Sequence, residues 1–580
     1  MNSSSTELYI ISDFNLEAFA RQIENDSAQP QVRAKSAPHG QVFPSLLKAE
    51  TKASQQEFCL VWTQPEGVLP SFRKALQLQP FAEQDLWSEV RHFSDCLKQC
   101  CSRFRAVFVT SWALPSFQRG YGLLDFQQRS GLRRLLLEVN LLLAKELESS
   151  SGTYLLDSTA WLQAAGSKAW SPKLWYLSKC PFGNEVLQSA IRDVKAAIAS
   201  VSGSYRKLIV VDLDDTLWGG VVGDLGWQSV AIGGHDYRGE AFADFQRALQ
   251  TLRRRGVLLA IASKNQEEIA LEVLRQHPEM VLRLDDFAAY RINWNDKAAN
   301  IVDLAAELNV GLQSVVFLDD NPVERARVRQ ALPEVLVPEW PDDKTLFASE
   351  LLRLTCFDLP QLTSEDASRT ELYIARRQRE SAKGTFASFD EWLHSLHTIL
   401  VVEELNDSNL PRTVQLLNKT NQMNLATRRL GEAELRQWLR AGNRKLWTFR
   451  VKDDFGDSGI VGIVSLQIDG AEAQIVDFVL SCRVMGRRIE EAMIAVCLGH
   501  ARALGVERVR ADFAPTAKNR PCLDFWLGSG FAHDQDKNSF SWDLAKLYPA
   551  PPAVEILCDD PALLRDRESA NRALAHVLPD

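Results

Sequence analysis

Three apolar runs in this chain end in residues that can do chemistry. "KLIVVDLDDT" (207–216) drives into Asp212, Asp214 and Asp215; "GVLLAIASK" (256–264) ends on Ser263 and Lys264; "SVVFLDD" (314–320) ends on Asp319 and Asp320. Carboxylates gathered at strand ends repel one another, and burying them unpaired costs several kcal/mol. A hard divalent cation removes that cost, and Mg²⁺ prefers oxygen ligands shared with substrate phosphate. Asp212, the backbone around Asp214, and Asp319 or Asp320 are therefore the candidate metal ligands. Asp212 is also a candidate nucleophile, since a carboxylate can form an aspartyl-phosphate. Asp214, two residues on, can protonate a leaving group and later activate water. Ser263 and Lys297, the latter within "NWNDKAANI", would neutralise phosphate oxygens, with Thr216 and Lys264 also expected to contact substrate. A single DxD is often only a solvated turn. The four pieces in order on an α/β pattern argue against that reading here.

The rest of the chain must position these groups. Its 580 residues exceed a single core. With 46% apolar and 24% charged residues, the composition is that of a globular protein, and a net charge of −9 argues against a general nucleic-acid-binding surface. No apolar run approaches bilayer length, and the first residues lack a basic signal-peptide start. Ten irregularly spaced cysteines, with no CxxC pair, suit a reduced, cytoplasmic protein.

Three blocks and a tail are expected: an α/β domain over 1–204, a second α/β domain over 205–360, an α+β domain over 361–548 and a peripheral Pro-rich, then helical, tail over 549–580. In the first, "FCLVW", "RAVFVTSW" and "TYLLDS" read as strands of a parallel sheet and "LRRLLLEVNLLLAKEL" as a helix. In the second, "YRGEAFADFQRALQTLRRRG" reads as a helix stopped by Gly256. The predicted fold class is multidomain α/β, with ligands at the carboxyl ends of the middle strands.

The pieces of the second block resemble the haloacid dehalogenase (HAD) superfamily of phosphotransferases. "DLDDTLWGGVVGDLG", "GVLLAIASKNQEEIA", "FAAYRINWNDKAANI" and "VFLDDNPVERARVRQALPEV" resemble its FkbH-like subfamily. That resemblance implies a Mg²⁺-dependent enzyme that takes a glyceryl unit from 1,3-bisphosphoglycerate. It passes the unit to the phosphopantetheine thiol of an acyl carrier protein for polyketide-type biosynthesis. Asp215 departs from the family, which has Asn there; the added charge either raises metal affinity or faces solvent. A related phosphatase group shares the DxDxTLW start. A plain phosphatase of a small phosphate ester, or a non-catalytic scaffold that docks carrier proteins, therefore remains the alternative.

In the third block "QLLNKTNQMNLATRRL", "DDFGDSGIVGIVSL" and "DFVLSCRVMGRRIEEAM" continue the family resemblance, and the arrangement is similar to GNAT-type acetyltransferases. Their R-x-x-G-x-G/A turn cradles a pyrophosphate at a helix N-terminus. Here Arg488 replaces the last small residue, so a single phosphodiester met by Arg487 and Arg488 fits better. Cys482, beside Arg483, Arg487 and Arg488, is the candidate acyl-carrying thiol, with Cys522 its rival and a buried structural cysteine the plain alternative. Asn418 and Lys419 are expected to hydrogen-bond the glyceryl or pantetheine groups. The first block is expected to be a degenerate SGNH-like domain. Its "ISDFN" faintly echoes a nucleophile strand, but Gly-Asp-Ser and Asp-x-x-His are missing, so it is expected to brace the enzyme or dock the carrier.

Overall fold

The computed structural model describes residues 5–47, 57–361 except 128, 149, 151 and 235, the single residues 379 and 386, and 388–558 except 517. The chain divides into two units, Met1–Tyr205 with Thr355–Pro360, and Arg206–Leu354 with Gln361–Asp580.

The first unit is built on β1 (Thr6–Ser12), β2 (Val32–Ser36), β3 (Glu57–Trp62), β4 (Ala106–Thr110) and β5 (Thr153–Leu156), in the order β2-β1-β3-β4-β5, all pairs parallel. β4 is buried along its whole length, as a central parallel strand covered on both faces must be. Of the helices covering it, Leu132–Glu148 buries Leu132, Leu135, Val139, Leu143 and Leu147, a repeat of three and four that keeps one face inward.

The second unit holds two sheets. One is parallel, from β6 (Leu208–Val211), β7 (Leu258–Ser263), β8 (Ala289–Ile292) and β9 (Val315–Leu318), in the order β8-β7-β6-β9. "LIVV" of β6 is buried at all four positions. The helix Tyr237–Arg254 starts at Asp236, whose carboxylate accepts from the N–H groups of Arg238 and Gly239, and stops before Gly256 at φ +88°. The chain steps from β6 outward to β7 and β8, then returns to the other side of β6 with β9. The direction of winding reverses between β6 and β9, and such a reversal opens a crevice at the carboxyl ends of the strands.

The other sheet is mixed: β10 (Thr398–Glu404), β11 (Met423–Asn424), β12 (Arg444–Asp453), β13 (Gly456–Asp469), β14 (Glu472–Leu480), β15 (Arg508–Asp512), β16 (Ala532–Asp534), β17 (Ser539–Asp543) and β18 (Val554–Cys558). Its path is β16-β17-β15-β14-β13-β12-β10-β18, and β11 adds to β14. β14 pairs with β15 over Glu472–Ile475 and then parts from it. The fork is filled by β11, which pairs with Val479 and Leu480, while Leu425 donates to Phe478 O and accepts from Ala514 N. Residues 554–558 of the expected peripheral tail form a strand. β18 lies parallel to β10, with Val554 and Ile556 buried and Glu555 exposed between them. The expected helical end of the tail, 559–580, lies outside the described residues. The chain is a multidomain α/β protein with parallel sheets.

Candidate active site

Because β6 and β9 pair in register, Val211 against Leu318, the next residue of each strand, Asp212 and Asp319, emerges at the same height. The Asp212 N–H donates to Leu318 O at 3.0 Å, which locks that alignment. One oxygen each of Asp212, Asp319 and Asp320 lies within 4.8 Å of the others. Asp212 and Asp319 are buried, and Asp320 is half-buried. Among the described residues, this is the one group of acidic, histidine or cysteine side chains spaced to hold an ion.

Lys297 counters the cluster. It is the first residue of the helix Lys297–Glu307, whose cap Asp296 accepts from Ala298 N. The cap fixes the helix start, and the start points the ammonium at the site. Lys297 Nζ stands 2.6 Å from Asp319 Oδ2 and 3.0 Å from Asp212 Oδ1. Burial lowers its pKa, but the two carboxylates outweigh that and hold it above the ordinary lysine value. Burial pushes Asp212 up to about 7, against the pull of Lys297 and with the push of Asp319. Asp319 is raised as well, again by burial first. One buried ammonium does not neutralise the buried carboxylates. A hard divalent cation would, so the donor set of three carboxylates fits Mg²⁺.

Asp214 does not join that group. Its Oδ1 accepts from Trp218 Nε1 at 2.8 Å and Val222 N at 3.1 Å, and its Oδ2 from Asn265 Nδ2 at 3.0 Å. The metal expectation at Asp214 rests on its backbone, and its side chain is engaged elsewhere: three donors hold the carboxylate in one orientation, which suits proton transfer. Asp215 takes φ +50°, a left-handed conformation that Asp and Asn tolerate, and accepts from the N–H of Gly220, itself at φ +93°. It serves the turn, and it stands outside the carboxylate group.

Thr216 accepts from Asp320 N at 3.1 Å and donates to Asp320 Oδ1 at 3.4 Å. It therefore orients Asp320 where direct substrate contact was expected. Ser263 is buried and hydrogen-bonds Asp212. Lys264 turns away, to Glu324 at 2.6 Å, because neighbouring residues along a strand point to opposite faces. Three groups were missed by the sequence reading: Asn265 and Trp218, which brace Asp214, and Lys344, which pairs with Asp320 at 2.9 Å. Asn265 stands beside the quoted Ser263–Lys264 and was within reach of motif logic. Lys344 lies outside every motif.

In the mixed sheet, Cys482 follows the end of β14 and is half-buried. Arg487 does not face a phosphodiester as expected. It is 5% exposed, with its Nη2 donating to Asp453 at 2.7 Å and to Thr398 at 3.2 Å, and Arg379 pairs with the same Asp453. A buried ion pair of this kind belongs to the core. Arg488 is exposed, with φ +60°, and lies 3.4 Å from Asp390. Arg483 Nε donates to Ser481 Oγ at 3.2 Å. Asn418 spends its amide on Val414 O and Leu430 O, so it braces the loop rather than offering a donor to substrate, while Lys419 is half-buried at the last position of its helix. The rival Cys522 is fully buried, and burial pushes its thiol up to about 12. The loop before β11 reaches the parallel-sheet part of the same unit, where Asn309 donates to Gln422 at 3.3 Å.

No family model matches the chain, and no curated protein matches it. Among solved structures it is similar to the N-terminal part of protein BF1531 from Bacteroides fragilis, described as containing a phosphatase domain complexed with Mg. That likeness has 24% identity and a TM-score of 0.56, and covers 62% of this chain and 97% of the other. It shows a shared fold. Acetyltransferases are also among the similar solved structures. A putative phosphinothricin N-acetyltransferase has 15% identity and a TM-score of 0.20, over 25% of this chain and 99% of its own. The ribosomal-protein-S18-alanine N-acetyltransferase from Escherichia coli has 9% identity and a TM-score of 0.20, over 25% and 94%.

Proposed function

We propose that this chain is a Mg²⁺-dependent phosphatase and acyl transferase of the FkbH-like type, moving a glyceryl unit from 1,3-bisphosphoglycerate to an acyl carrier protein. The observation that carries the reading is the buried Asp212–Lys297–Asp319 arrangement at the winding reversal of a parallel sheet, a place for phosphate chemistry. The fold shared with a chain described as a Mg-complexed phosphatase domain supports it.

Magnesium would be held by Asp212, Asp319 and Asp320, and when bound it screens the charge between these carboxylates and a substrate phosphate. Lys297 and Ser263 draw phosphate oxygens toward Asp212. The Asp212 carboxylate attacks phosphorus, the bond to the leaving oxygen breaks, and Asp214 gives that oxygen its proton. Asp214 then takes a proton from the water that attacks the aspartyl-phosphate, which frees phosphate and restores Asp212.

Acyl transfer falls to Cys482. Its thiolate attacks the acyl-phosphate carbon, phosphate departs, and the carrier's pantetheine thiol then takes the glyceryl group from the thioester. The fully buried Cys522 is unsuited to that role. Intact mass spectrometry of a phosphopantetheinylated carrier, incubated with enzyme, Mg²⁺ and 1,3-bisphosphoglycerate, tests the proposal. A glyceryl mass shift that disappears in Cys482→Ala and persists in Cys522→Ala supports it. Phosphate release with an unmodified carrier reduces the enzyme to a phosphatase.

A further inference from the structure

Two segments of the first unit turn large apolar side chains outward. Directly after β4, Phe117 is 63% exposed, Leu123 93% and Phe126 63%, with Tyr121 and Leu124 also exposed. A loop free to rearrange would fold such groups inward, but this one is braced. Asp125, 2% exposed, accepts from Tyr121 N, Leu132 N and Arg133 N, and Arg133 donates to Pro115 O and Gln118 O. These bonds pin both ends of the loop to the start of the helix Leu132–Glu148 and force its apolar side chains out. A second segment, the helix Pro172–Ser178, exposes Trp175, Tyr176 and Leu177. Its following residue, Lys179, accepts at its carbonyl from Asn15 N, just beyond the end of β1. In a parallel sheet the ends of β1 and β4 share one edge, two strand spacings or about 10 Å apart. Large apolar side chains exposed together in this way mark an interaction site.

The charges select the partner. Residues 113–134 contain Arg119, Arg129, Arg133 and Arg134 and a single acid, Asp125, which is turned inward; residues 171–179 contain Lys173 and Lys179 and no acid. A two-fold pairing with a second copy would set each basic patch on itself. An acidic partner is steered toward it.

We propose that these two apolar, basic segments of the first unit dock the acidic carrier protein that receives the acyl group, an inference that rests on the transfer activity proposed above. The loop after β4 supplies the apolar anchors, and Arg119 and Arg129 orient the approaching carrier.

The test uses the full chain, a phosphopantetheinylated acyl carrier protein and free pantetheine as alternative acceptors. The variants are Leu123→Asp with Phe126→Asp, and separately Arg119→Glu with Arg129→Glu; all four positions are exposed, so folding is spared. Each pair is expected to raise the KM for the carrier roughly tenfold or more, as loss of anchor residues does. Transfer to free pantetheine and phosphate release should stay at wild-type rates. An unchanged carrier KM overturns the docking site while leaving the transfer reading intact. A wild-type enzyme that acylates neither carrier nor pantetheine overturns the transfer reading and this inference together. A wild-type dimer in sedimentation that dissociates in the Asp variants, with carrier KM unmoved, assigns these segments to a second copy and overturns the proposal.

Discussion

Lys297 Nζ sits 2.6 Å from Asp319 Oδ2, with both side chains almost fully buried. Removing one partner of such a pair leaves an uncompensated buried charge. Lys297→Met is expected to cost roughly 3–5 kcal/mol of stability in chemical denaturation. Because the carboxylates are then left to a cation, added Mg²⁺ should restore more of the loss in the variant than it adds to wild type. A loss under about 1 kcal/mol would show the pair to be solvated after all.

Asp214 is held by Trp218, Val222 N and Asn265, and this orientation is what proton transfer requires. Asp214→Asn should lower turnover by about 10²–10⁴. Asn265→Ala removes one of the three donors and should lower kcat by a smaller factor, with little change in Mg²⁺ affinity by calorimetry. Equal losses of metal affinity and turnover would place Asp214 among the ligands instead.

The cysteines differ in access. Half-buried Cys482 should be alkylated by iodoacetamide well before fully buried Cys522, read by peptide mass spectrometry. Faster labelling of Cys522 would reverse the assignment of the acyl-carrying thiol.

Glu490 gives a pH dependence away from the metal site. Burial pushes it up to about 7, with the Gly486 N–H its backbone donor at 2.9 Å. A carboxyl with a raised folded-state pKa binds its proton more tightly folded than unfolded. Its contribution is present below about 4.5 and is lost as pH rises through about 7. Glu490→Gln should remove that slope, so that wild type loses roughly 1–3 kcal/mol more than the variant between pH 4.5 and 7.5 in urea unfolding. Parallel curves would mean the group is solvated.

The parts of this site that the sequence discloses are those fixed locally. An apolar run ending in acids names both a strand and the edge where its ligands gather, so Asp212, Asp319 and Asp320 were legible, as were the β6, β7 and β9 strands. Lys297 was legible as the lysine within "NWNDKAANI", placed between the strand-end motifs. What was not legible depends on distant chain. Arg487 reads as a basic helix tip until Asp453, over thirty residues upstream, is seen beside it. β18 alternates buried and exposed residues, yet its partner β10 is more than 150 residues away, and the prolines before it suggested a peripheral tail. β2 and β8 are short, and their surroundings give too few alternating residues to stand out.

Phosphate release from acetyl phosphate, followed as Mg²⁺ is titrated into wild type and Asp212→Asn, tests the central claim most directly. Wild-type release should rise and saturate with Mg²⁺, and the variant should lose roughly a thousandfold or more at every concentration. Equal release from the two proteins, or release indifferent to Mg²⁺, would contradict the account.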